Sequence, residues 1–195
     1  GLKGTRGRLP SGPFRGERWN GFVSEGIVSR SVRDTAHVLD LTAGIDVGAP
    51  YASPLIPENG FLHAVQLAES APRRRIAFTK RPLFGTTLDP DNERALMHTV
   101  ELLQSLGHAV EEACPEYDQE RLTYAYYIVV ATGVGLGIRQ MESKLGRSIK
   151  MDELEMSTWA LDAISGAFSA SEYSEQVDFI HSESRRIAQF FNQYD

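Results

Sequence analysis

The residue types able to do chemistry are all present in this chain, but none is grouped with the partners it would need. Five histidines, His37, His63, His98, His108 and His181, stand singly. None pairs with another at the i, i+4 spacing, with a glutamate, that a zinc-binding helix uses. Cys114 is the only cysteine, and one thiol makes neither an internal disulfide nor a thiolate metal cluster. Placed beside Pro115 with no assignable base, it reads as structural rather than nucleophilic. Serines are plentiful, yet neither Gly-x-Ser-x-Gly nor Ser-x-x-Lys occurs. Glu111 and Glu112, or Glu153 and Glu155, offer paired carboxylates, but acids so spaced ordinarily face solvent. The glycines at 1, 4, 7 and 12 are followed by Pro10 and Pro13 instead of the helix start that a phosphate cradle requires. No metal site, no cofactor site and no complete catalytic set is expected among these residues.

The bulk properties narrow the classes further. A chain of 195 residues, 42% hydrophobic and 24% charged, has the make-up of an ordinary globular domain. Its formal charge of −6 argues against nucleic-acid or anionic-membrane partners. By eye, no apolar run reaches the roughly 18–20 residues of a membrane span, and no basic start leads into an apolar core. With a single cysteine, the expected setting is the reducing cytoplasm. Both termini read as cut from the interior of a longer chain, since the sequence opens on Gly-Leu-Lys-Gly and closes on the apolar Phe190-Phe191.

The elements that must position any site follow from the spacing. Ser31 can cap a helix, with Asp34 placed to close the box and Val32, Ala36, Leu39 and Ala43 forming its apolar stripe up to Gly44. Before it, residues 1–21 hold six glycines and five Lys/Arg. Lys3, Arg6 and Arg8 alternate as a solvated or acid-paired face, and Trp19 and Phe22 bracket an Asn20-Gly21 turn. A short helix over 58–71 should turn Phe61, Leu62, Val65 and Leu67 or Ala68 inward. Ile76-Ala77-Phe78 reads as a strand, and Asp89-Pro90 opens a helix on Leu96, Val100 and Leu103, widened by Ala95, Leu102 and Leu106. His108 to Ala113 then reads as a second strand. Strand, helix, strand predicts α/β packing with parallel strands over residues 1–115 and a mainly helical portion over 116–195. In the latter, Tyr124, Tyr126 and Tyr127 open an apolar stretch. Gly133, Gly135 and Gly137 then mark either close helix packing or a break beside a cavity. A last helix capped by Ser169 and Glu172 should bury Tyr173, Val177, Ile180, Ile187 and Phe191.

Two stretches carry a family likeness that spacing alone does not supply. GLKGTRGRLP resembles the Gly-Leu-Lys-Pro-Thr-Arg-Gly-Arg segment of the amidase signature family, which follows that family's glycine- and serine-rich core. SEGIVSRSVRDTAHVLDLTAG resembles its Gly-Pro-x-x-Arg-Ser-Val-x-Asp block. Gly26, Arg30, Ser31, Val32 and Asp34 match, while Ile27 and Gly4 each replace a usual proline. The flavour is that of bacterial amidases of the 6-aminohexanoate-cyclic-dimer hydrolase kind. The resemblance implies part of one α/β/α layered domain around a mixed sheet, and amide hydrolysis through a Ser–cis-Ser–Lys triad without a cofactor. All three catalytic side chains would lie upstream of the block matching Gly1 to Arg8, so Lys3 is not the catalytic lysine. Arg30 and Asp34 are expected to order the signature core. Trp19, Phe22, Ile27, Tyr124, Tyr126 and Tyr127 are expected to wall the substrate pocket. The partner would be a small-molecule amide, with a homodimer as the assembly. The competing reading is a non-catalytic α/β interaction or regulatory module derived from the same scaffold.

Overall fold

The first long helix, α1 (Val32–Thr42), forms because Ser31 satisfies one of its free amides. In the computed structural model, which describes residues 2–14, 16–82 and 87–195 (without the Glu69 side chain), Ser31 Oγ accepts the Asp34 N–H at 3.0 Å. Asp34 places its charge at the positive end of the helix dipole. Gly1, first residue of the signature-like block, lies outside the described residues. Ala36 and Leu39 are buried, but Val32, expected at the head of the stripe, is 72% exposed. The helix stops at Ala43, which is extended at φ −73°, ψ 142°. Gly44 is therefore not the left-handed stop that its position suggested.

Helix α2 (Gly60–Gln66) has no cap of its own, since Asn59 makes no capping bond. Asp40 of α1 supplies one instead: its two carboxylate oxygens accept Phe61 N–H at 2.6 Å and Leu62 N–H at 3.0 Å. Gly60 stands at φ 85°, and a Cβ there would fall 2.7 Å from Asp40 Oδ1, so the position requires glycine. Phe61, Leu62 and Val65 are half-buried as expected. Leu67 and Ala68 are exposed, because the chain leaves the helix there for a 3-10 turn.

The chain forms two compact units, Gly1–Ala71 and Pro72–Asp195. The second is α/β at its start. Strands β1 (Arg75–Phe78) and β2 (Ala109–Glu112) pair in parallel, with Arg75 opposite Ala109 and Phe78 opposite Glu112. Helix α3 (Pro90–Ser105) makes the crossover between them, with Asp89 as its cap and Pro90 in its first turn. Gly107 at φ 89° turns the chain into β2, and His108 Nδ1 accepts the Arg74 N–H at 3.0 Å. Val100 is buried, whereas Leu102 and Leu106 point outward, so the inner stripe is narrower than the sequence implied. On the other side of β1, Asp195 N–H donates to Arg75 C=O at 2.9 Å, and its carboxylate accepts Arg75 N–H at 2.8 Å.

The rest is helical: α4 (Gln119–Leu145), α5 (Met156–Ser165) and α6 (Ala170–Ala188). Helix α4 runs unbroken through Gly133, Gly135 and Gly137, which resolves the choice between break and close packing. Its inner face is Ala125, Ile128, Val129, Ala131, Gly135 and Ile138. A Cβ on Gly135 would meet Ser165 Cβ at 2.9 Å and its Oγ closer still, so α5 approaches at backbone distance. By length and composition α4 could cross a membrane, which the sequence reading passed over; its most apolar window has mean hydropathy 1.2. Its face against α5 and α6 is nonetheless packed as in the core of a folded protein. On α6 the Ser169–Glu172 capping box forms in both directions. Phe191 lies beyond the helix end and is exposed, not part of the buried face. Buried Glu183 ties α6 to the start of α4: it accepts Asp118 N–H at 3.0 Å and is gripped by Arg186 through Nε and Nη2. Those arginine bonds, helped by Asp118 N–H, hold the Glu183 carboxyl below its ordinary range.

Two outcomes are expected. The two glycines of α4 should respond oppositely to alanine. Gly137→Ala meets open space and gains about 1 kcal/mol of helix propensity. Gly135→Ala forces α5 away, an overpacking cost of about 1–3 kcal/mol, and should lower the urea midpoint; a rise at both positions would contradict the packing. Glu183, with its lowered folded value, contributes stability that is present above the ordinary carboxyl value of 4.5 and lost as pH falls through the folded value. Melting temperature between pH 7 and 3 should therefore fall less steeply in Glu183→Gln than in the parent, and parallel curves would remove this role.

Candidate functional site

The N-terminal unit is held by two arginines that the sequence reading took for a solvated face. Arg6 places its guanidinium 5.6 Å from the Phe22 ring centroid and 5.3 Å from that of Tyr51. Its Nε–H donates to Gly21 C=O at 2.7 Å. Arg8 lies 5.1 Å from the Phe61 ring centroid and donates to Leu55 C=O at 3.2 Å. Neither is paired with an acid. Both act through a planar fork that serves ring faces and carbonyls together, which lysine cannot do.

Arg6 secures the aromatic turn. Trp19, Asn20 and Gly21 have φ of 49°, 51° and 73°, and a bulky residue at positive φ is uncommon. The turn is held by Gly21 N–H, which donates to Arg18 C=O at 3.0 Å and to Glu17 Oε2 at 2.7 Å. Phe22 N–H closes it onto Trp19 C=O at 3.1 Å. A Cβ on Gly21 would lie 2.8 Å from both Arg6 and Tyr51. Farther along, Asp46 Oδ2 accepts Ser11 N–H and Gly12 N–H, each at 3.0 Å. Asp40 and Asp46, like Arg6 and Arg8, were not singled out by sequence. Their bonds run to backbone groups some 15 to 47 positions away, and no local pattern marks such a pairing.

The expected site residues are placed as follows. Ile27 lines an apolar cavity of about 220 Å³ with Leu2, Leu9, Val38 and Leu39. Trp19 and Phe22 are half-buried in the turn and line neither this cavity nor the small polar cleft of about 40 Å³ around Arg6, Asp46 and Tyr51. Arg30 and Asp34 are both exposed, and no ion pair joins them among the described residues. In the second unit, Tyr124, Tyr126 and Tyr127 are 46–56% exposed, so they do not pack the helical core. Tyr126 and Tyr127 meet edge to face at 6.0 Å. Gly135, expected to admit a ligand, is filled by Ser165. Among the described residues no group of three or more His, Cys, Asp or Glu is placed to hold a metal.

This architecture is that of a known class. The structure of 6-aminohexanoate cyclic dimer hydrolase, solved alone and complexed with substrate, matches at TM-score 0.83 and 24% identity, over 97% of this chain and 40% of its own. A bacterial aryl acylamidase of the amidase signature enzymes matches at TM-score 0.77 and 16% identity over the same share of this chain. At those identities the likeness defines the fold alone, the α/β fold of amidase signature enzymes. The sequence carries it further: the pattern of the Amidase family matches residues 1–195, and the chain belongs to that family. The 6-aminohexanoate-cyclic-dimer hydrolases of Pseudomonas sp. (strain NK87) and Paenarthrobacter ureafaciens are each 30% identical to it over 179 residues, 87% of this chain. The chain spans 36% of the length of those two relatives.

The role of Arg6 is open to a direct measurement. Arg6→Lys keeps the charge but loses the Nε–H bond to Gly21 and the stacking on Phe22 and Tyr51. It should destabilise the chain by about 1.5–3 kcal/mol, the usual worth of a charge-assisted bond, with a changed near-ultraviolet circular dichroism signal from the Trp19 turn. An unchanged urea midpoint would show that the turn holds without it.

Proposed function

We propose that residues 1–195 are scaffold and substrate wall of an amidase. It hydrolyses a carboxamide to a carboxylic acid and an amine or ammonia through an acyl-enzyme, with its serine, cis-serine and lysine upstream of this sequence. The observation that carries the reading is a family match over the whole chain combined with the engagement of its own serines. Ser24 Oγ donates to Gly4 C=O at 2.9 Å, Ser29 Oγ bonds Thr35 Oγ1 at 2.6 Å, and Ser31 Oγ caps α1. An activated hydroxyl needs a base beside it, and these three are bonded instead to backbone and hydroxyl groups. Catalysis of this kind also needs donors where the oxyanion develops, which the family places beside its nucleophile.

In this reading Arg30 and Asp34, exposed here, brace the signature core of the complete enzyme. Trp19, Phe22, Ile27, Tyr124, Tyr126 and Tyr127 contribute apolar area with polar handles to its pocket. The names of the relatives, a cyclic-dimer hydrolase and an aryl acylamidase, support a substrate with an apolar body. A cytoplasmic setting that keeps Cys114 reduced, and assembly as a homodimer, belong to the same proposal.

The 195-residue chain should hydrolyse neither a short aliphatic amide nor an anilide above the buffer rate. A longer product of the same gene should hydrolyse at least one and lose activity when an upstream serine is replaced. In that longer protein, Tyr126→Ala should shift the ratio of kcat/KM between the two substrates by roughly tenfold, about 1.4 kcal/mol of differential transition-state binding. Hydrolysis by the 195-residue chain that disappears with Ser24→Ala, Ser29→Ala or Ser31→Ala would overturn the proposal. A longer protein that hydrolyses no amide at all would favour the regulatory module.

A further inference from the structure

The apolar cavity of the N-terminal unit has a property that a scaffold role does not require. Its volume is about 220 Å³, and its wall is made by Leu2, Leu9, Pro10, Ile27, Val38 and Leu39. The hydroxyls at its edge are turned to other partners. Ser24 Oγ donates to Gly4 C=O at 2.9 Å, Thr35 Oγ1 bonds Ser29 Oγ at 2.6 Å, and Thr42 Oγ1 donates to Val38 C=O at 2.6 Å. A guest therefore meets hydrocarbon surface and no side-chain hydroxyl free to bind it. Water gains little in such a space, and apolar cavities of about 150 Å³ are known to stay dry and take up benzene-sized guests.

Charge narrows the guest further. Glu25 is the one charged side chain on the wall, and its carboxylate lies 3.4 Å from Arg18. With the nearest cation so engaged, a second carboxylate entering the cavity would lose its water and face a like charge. A neutral guest of the same shape suffers neither penalty.

We propose that this cavity is a binding site for an uncharged small molecule with an apolar body, a hydrocarbon ring or the chain of a short carboxamide, and that it rejects the matching carboxylate. The inference stands on the geometry of the N-terminal unit and does not depend on whether the chain takes part in amide hydrolysis.

The test is a titration of the 195-residue chain, methyl-labelled at Leu, Ile and Val, with benzene, hexanamide and hexanoate, followed by nuclear magnetic resonance. Benzene and hexanamide should shift the methyls of Leu2, Ile27, Val38 and Leu39 saturably, and hexanoate should bind weaker by about tenfold or more. Val38→Phe and Thr42→Met, which extend into the space from the wall and from the rim, should each weaken benzene by about tenfold. Should Val38→Phe fail to fold, Thr42→Met decides alone, since its side chain starts from the exposed rim. The absence of saturable shifts at those methyls, hexanoate binding as tightly as hexanamide, or a folded Thr42→Met chain that binds like the parent would each overturn the proposal.

Discussion

The placement of the Arg6 guanidinium between two rings and a carbonyl is the constraint on which the N-terminal unit depends. It joins three stretches far apart in sequence: the extended opening segment, the left-handed turn at Trp19–Gly21, and the loop that carries Tyr51. Few apolar side chains in this unit are fully buried, Ala36 and Leu39 being the examples on α1. With so small a core, the unit relies on charged side chains bonded to backbone. Arg8, Asp40 and Asp46 repeat what Arg6 does, each meeting backbone groups that lie outside regular helix or strand ladders. Such bonds hold direction as well as distance, because a carbonyl or an amide accepts a partner only along a narrow range of angles.

The second unit is built the opposite way. Its helices come together because small side chains let them, with Ala125, Ala131 and Gly135 on the inner face of α4 beside Ile128 and Val129. Dense contact of this kind depends on shape, and a single added methyl is felt. The polar exception, Glu183 with Arg186 and the Asp118 amide, sits where α6 meets the beginning of α4. It fixes the relative register of two helices whose apolar surfaces alone would allow sliding.

How much of this was legible in the sequence follows from the range of each interaction. The caps at Ser31, Asp89 and Ser169 were readable because donor and acceptor lie within three residues of each other. The parallel strands were readable from the helix-sized gap between two short apolar runs. The roles of Arg6 and Asp46 were not, since their partners are set by the tertiary path of the chain. Helix α4 misled in another way. Its tyrosines suggested core by composition, yet Tyr124, Tyr126 and Tyr127 flank the inner face on the outer side, while the smaller Ala125 points inward. The family was legible for a different reason: its motifs are contiguous, and the residues that build the opening segment and α1 are themselves the motif. Motif and cavity overlap only at Leu2, Gly4, Leu9, Pro10, Gly26, Ile27 and the inner turns of α1, so the cavity could be seen only in three dimensions.

The cap that Asp40 lends to α2 also bears on the order in which the chain assembles. Seven residues without a cap of their own are far too few to stay helical in water, where isolated helices of about 12–15 residues are already marginal. The amides of Phe61 and Leu62 find their acceptor only once α1 has formed and Asp40 has been set on its last turns. Helix α2 is thus a late element, with a folding rate bounded by that of α1 and a loop of some twenty residues to close. Kinetically, changes within α2 belong on the unfolding limb, and changes at the Ser31 end of α1 belong on the folding limb.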